Sequence, residues 1–173
     1  MKIIIWTVVL LFSISMCFSQ NYIYKGDDKF ESTNTWEFEM KTRYWSGNPE
    51  LTVGKKEDGS GYLLISIAVP FKSTYIGETL LVFLEDGTVI KCIDKGIRDH
   101  VDDQSMVIYN FTKDEINSLK LKKIAKIRFS ILGGYQGKET FTADNKKPFF
   151  MSLNKEEKSF YETNTEIVEL FKK

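Results

Sequence analysis

Histidine occurs once in the 173 residues, cysteine twice and proline three times, and neither sign of charge is in excess, with 24 basic against 24 acidic residues. Each shortage excludes something. A zinc centre needs several nitrogen or sulfur donors, and His100 has no second histidine to work with. The cysteines are Cys17 and Cys92, and a leader that carries Cys17 away leaves no pair for a disulfide framework. Three prolines provide no proline-rich linker. A balanced charge creates no overall field toward nucleic acid or an anionic bilayer, so no nucleic-acid partner is expected.

Long hydrophobic runs are also missing, apart from the beginning of the chain. MKIIIWTVVLLFSISMCFSQ has one lysine, an apolar stretch over 3–12 that is short for a bilayer span of about 20 residues, and small residues at Cys17 and Ser19. This is the pattern of a secretory signal peptide over 1–19, cleaved after Ser19. A lipid anchor through Cys17 is the alternative, and Met16 speaks against it because that processing favours a small residue there. The reading predicts an exported protein, periplasmic or secreted, with no membrane insertion after cleavage. About 150 residues then remain, 20–173, forming a single β-rich globular domain. The usage of lysine, isoleucine and asparagine resembles that of small exported bacterial proteins.

What is abundant is strand signal. Over 36–44 apolar residues mostly alternate with charged ones, predicting one strand with a wet face. A short edge strand is expected at 51–55. Glu57-Asp58-Gly59-Ser60-Gly61 is turn chemistry, and 62–71 is apolar on both faces, which suits the centre of a sheet ending at Pro70. Strands at 79–84 and 88–93 flank Asp86-Gly87, a favoured hairpin pair, with Cys92 pointing inward as a small hydrophobe. A polar loop over 94–105 precedes a strand at 106–110.

The stretch KLKKIAKIRF, 120–129, looks like a polyanion site, yet local structure accounts for it. Thr112 and Glu115 form a capping box, with Phe111 and Ile116 as its staple, so a short helix is expected over 113–120 with Ile116 and Leu119 inward. Lys120, Lys122 and Lys123 then fall at its C-terminal end, where the helix dipole favours cations. Ile127, Phe129 and Ile131 alternate with Lys126, Arg128 and Ser130, a strand whose basic residues face water. Gly133–Gly137 is a turn, 139–143 a return strand, and 154–171 an amphipathic helix with Leu153, Phe160, Ile167 and Phe171 on its stripe and a weak spot at Thr163-Asn164-Thr165. The sum is mainly β: an antiparallel β-sandwich or curled sheet with one short inserted helix and an amphipathic C-terminal helix.

The chemistry-bearing motifs are sparse. No Gly-x-Ser-x-Gly elbow or phosphate loop is present, and the glutamates at 37, 39, 57, 78, 85 and 139 form no recognisable pair. Asp99, Asp102 and Asp103 around His100 offer a weak calcium alternative without the spacing of a calcium loop. No catalytic residue and no cofactor are expected. Tyr44 and Trp45, at the end of an alternating strand, and Tyr135, on its glycine turn, are the candidate binding residues, since exposed aromatic plates suit a peptide or a sugar ring. The sequence thus favours a non-enzymatic binding or accessory module for protein, peptide or glycan. A carrier with a closed β-barrel cavity is the alternative, and a small hydrolase a more remote one.

Overall fold

In a computed structural model the described residues are 21–42, 47–134, 137–147 and 160–172. The first sheet contains β1 (Asn21–Lys25), β2 (Asp28–Ser32), β3 (Trp36–Glu37), β5 (Glu50–Lys55), β6 (Gly61–Ala68), β9 (Arg98–Val101) and β10 (Gln104–Phe111). The second contains β4 (Glu39–Met40), β7 (Tyr75–Leu84), β8 (Val89–Cys92), β11 (Ile124–Leu132) and β12 (Lys138–Asp144). Pairing runs β1-β2-β5-β6-β10-β9 in the first, with β3 also on β5, and β4-β12-β11-β7-β8 in the second. The first sheet curls into a half-barrel, and two helices, α1 (Lys113–Leu121) and α2 (Thr163–Phe171), complete the fold.

The core lies between the sheets. Leu51, Val53, Leu63, Ile65, Ile67, Val107 and Tyr109 from one meet Ile76, Leu80, Val82, Ile90, Ile127 and Phe129 from the other in a single buried cluster. β6 is central, between β5 and β10, as its two apolar faces require. The hairpin at Asp86-Gly87 forms as its sequence dictates: Gly87 takes φ 86°, and Leu84 N–H donates to Thr88 O at 2.8 Å.

Around α1 the local signals are obeyed closely. Thr112 Oγ1 accepts from Glu115 N–H at 3.3 Å, and the Glu115 carboxylate accepts from Thr112 N–H at 2.7 Å. Ile116 and Leu119 are buried. Thr112→Ala removes a cap and is expected to cost about 1 kcal/mol in urea unfolding; a variant as stable as the parent would show that packing alone holds the helix start. Beyond it, Lys122 pairs with Asp86 and Lys123 with Glu162, while Ile124, Ile127, Phe129 and Ile131 are all buried in β11.

Four expectations need correction. The strand over 36–44 is divided: β3 belongs to the first sheet and β4 to the second, because Phe38 N–H turns to Pro49 O and Glu39 N–H to Lys146 O. The alternation survives the crossing, and Trp36, Phe38 and Met40 are all buried. β5 is an interior strand rather than an edge, paired with β6 on one side and with β2 and β3 on the other. The polar loop over 94–105 contains β9, closed onto β10 by a tight turn in which Asp102 has φ 52°. Finally, Thr163 begins α2 instead of breaking it, its buried hydroxyl accepting from Ile124 N–H at 2.9 Å, and Phe160 is exposed off the stripe. Residues 1–20 and 148–159, which include the leader and Leu153, lie outside the described residues.

Candidate functional site

The hairpin of β1 and β2 bends back over the outward face of the first sheet. A bare backbone at Gly54 lets it lie down, since a Cβ there would come within 3.0 Å of Ile23 Cδ1. Ile23, Tyr62 and Ile108 form a second buried cluster with Phe30, Leu64 and Ile97 against it. Phe30 meets Tyr62 edge to face at 4.9 Å, and the Lys56 ammonium stands 4.0 Å from the Tyr62 ring while donating to Asn110 Oδ1 at 2.8 Å. From the hairpin the Lys25 ammonium lies 5.4 Å from the same ring, so the hairpin is anchored by apolar burial and cation–π contact.

Where the hairpin ends, the curl of the sheet leaves a groove of about 410 Å³, partly open to solvent. Residues 22–26 of the hairpin make one wall, Ile97 and β9 make the other, and Leu64, Met106 and Ile108 supply the floor. The two walls are the end strands of the first sheet, so the groove runs where a closed barrel would have had further strands. Its lining is mainly apolar. The rim carries charge of both signs, Lys25 on one wall and Asp99 on the other.

β9 is held firmly. The Arg98 guanidinium pairs with Asp94 and lies 4.9 Å from the Tyr75 ring. His100 Nε2 lies 2.8 Å from Thr74 O and donates to it, tying β9 to the approach of β7. Asp99 Oδ1 accepts from His100 N–H at 2.7 Å. A wall fixed in this way is preorganised, which reduces the ordering cost of binding.

The residues singled out from sequence fare differently. Tyr44, Trp45 and Tyr135 lie outside the described residues. Asp99 sits in β9, with Asp102 and Asp103 in the turn after it; among the described residues no three histidine, cysteine or acidic side chains come together to hold a metal. Cys92 is buried, and burial pushes its thiol up to about 12, with the Glu115 charge adding to the effect. It is an inert core thiol. The Asp86 carboxyl is drawn down to about 2, first by its hydrogen bond from Lys122 and then by the Thr88 N–H. Burial raises the Tyr109 and Tyr161 hydroxyls, and the Ser60 hydroxyl and N–H lower Asp58. These groups serve turns, an ion pair and the core, and none of them lines the groove.

Sequence reasoning missed the groove. Its first wall carried a readable signal in NYIYKGDDKF, where a run of strand formers, Tyr22-Ile23-Tyr24, leads into a Gly-Asp turn. Nothing in one dimension told that this hairpin folds back over the sheet. No protein-family model, no curated protein and no solved structure matches the chain. Among the described residues no helix is long and apolar enough to cross a membrane.

Proposed function

We propose that the protein is a non-catalytic, exported binding module that takes the apolar side chains of an extended peptide into the groove between β1 and β9. The observation that carries this reading is the groove itself, about 410 Å³ with an apolar floor between two strand walls. Its size lies in the range of ligand-binding clefts, about 300–1,000 Å³. Backbone at a strand wall offers hydrogen bonds to an extended chain, and the floor offers pockets for alternate side chains. The sequence over 1–19 supports export. A small apolar ligand is the second reading, favoured by the same volume and disfavoured by the open side, because among the described residues the half-barrel does not close around a cavity.

Peptides selected from a random display library on the purified protein test the reading. Met106→Lys places a charge in the groove floor, and the selected peptides should then bind at least about tenfold more weakly, with the unfolding midpoint unchanged. Val101→Lys, at a half-exposed wall position, repeats the test should the first variant lose stability. Failure to select any binder, or binders indifferent to both substitutions, would contradict the proposal.

A further inference from the structure

The outward face of the second sheet is a separate surface, and it does not depend on the groove. Leu80, Val82, Ile90, Cys92 and Ile127 fill the core, so the alternate residues Leu81, Phe83, Val89, Lys91, Lys126 and Arg128 are turned to the other side. The register sets them in two rows across the strands. Lys126, Phe83 and Val89 form one row, and Arg128, Leu81 and Lys91 the next.

Cations thus flank an apolar centre. On one side the Lys126 ammonium and the Arg128 guanidinium lie 5.2 and 5.9 Å from the Phe83 ring centroid. On the other stands Lys91, two strands from Arg128 and so about 10 Å away. Nearby basic residues are neutralised, Lys122 by Asp86, Lys123 by Glu162 and Lys138 by Glu78. Among the described residues Lys91, Lys126 and Arg128 have no such ion pair, and the one carboxylate in these rows is Asp144, opposite Lys126. Val89 and Ile93, beside Lys91, are 47% and 52% exposed.

The geometry points to a docking face for an acidic peptide segment, whose carboxylates meet Lys91 on one flank and Lys126 with Arg128 on the other while an apolar side chain covers Leu81 and Phe83. Charge complementarity identifies the sign of the partner, and the apolar centre identifies its class. A polysaccharide or nucleic acid would satisfy the cations and leave Leu81, Phe83 and Val89 uncovered. A peptide can bring both, in the arrangement common to protein interfaces, with an apolar middle and a charged surround that favours arginine and aromatic residues.

The test uses a dye-labelled peptide with glutamates on both sides of a central leucine, followed by fluorescence anisotropy. Binding should weaken as salt rises. It should fall at least about tenfold when the glutamates become glutamines, when the leucine becomes serine, and when the protein carries Lys91→Glu with Arg128→Glu. Both substituted residues are exposed, so the melting point of that variant should match the parent; Lys91→Gln alone carries the test if it does not. The Met106→Lys groove variant should bind this probe unchanged. Absence of binding, equal affinity for the glutamine or serine peptide, or displacement by a sulfated polysaccharide that alone shows the Lys91 and Arg128 dependence would overturn the assignment.

Discussion

Replacing Asn145 by alanine should lower the unfolding free energy by about 3–4 kcal/mol, far more than a surface asparagine would. Asn145 is 3% exposed, just after β12, and its side chain is fully engaged. Nδ2 donates to Ile124 O at 2.7 Å and to Tyr161 O at 2.9 Å, while Oδ1 accepts from Tyr161 N–H at 2.9 Å. One amide therefore fastens the approach to α2 onto the start of β11. Alanine leaves three backbone groups unpaired at a buried junction, and each unsatisfied group costs about 1–3 kcal/mol before relaxation and water recover a part. Asn145→Asp separates hydrogen bonding from volume. It keeps the shape but turns a double donor into an acceptor facing two carbonyl oxygens, so it should be at least as damaging at neutral pH. Urea unfolding of both variants checks this, and an aspartate variant near parental stability would show that water replaces the amide.

The second large effect is expected at Trp36, the biggest fully buried side chain among the described residues. It sits where the chain passes from the first sheet to the second, and its indole Nε1 donates to Glu166 Oε1 in α2 at 3.0 Å. The other oxygen of Glu166 accepts from Asn34 N–H and Nδ2 at 3.2 and 3.1 Å. Trp36→Ala should cost about 3–5 kcal/mol, the range for emptying a large aromatic site. Trp36→Phe keeps most of the volume and gives up the indole hydrogen bond, so a smaller loss of about 1–2 kcal/mol is expected. If the two variants were equally unstable, the hydrogen bond to Glu166 rather than packing would dominate.

These two residues also mark the boundary of what the sequence could tell. The cap of α1 was legible because all its members, Phe111 to Ile116, lie within six consecutive residues. The Asp86-Gly87 hairpin was legible for the same reason, and the two apolar faces of β6 announced its central place. By contrast, whether β5 is interior or at an edge depends on β2 and β3, whose pairing is set elsewhere in the chain. β9 is a short, polar end strand, paired among the described residues with β10 only, so its composition reads as loop. Asn145 owes its role to partners at Ile124 and Tyr161, and no local pattern distinguishes it from a turn asparagine. The groove is one step further removed. It arises from the curl of a whole sheet and from a hairpin folded back on it, neither of which any window of residues encodes.

The site reading drawn from sequence rested on aromatic plates at Tyr44, Trp45 and Tyr135. Among the described residues α2 engages Trp36, which is on the inward face with Phe38 and Met40. The three aromatic plates lie outside the described residues, and the groove is a separate site, lined by Tyr22 and Tyr24 from the first hairpin together with the apolar floor of β6 and β10.

Binding in the groove is tested most directly by amide chemical-shift mapping of the isotope-labelled protein with a peptide selected on it. The perturbed amides should cluster at 22–26, 97–101 and 106–108, with β8 and β11 unmoved. Shifts confined to the second sheet, or spread over the surface without a maximum at these walls, would contradict it.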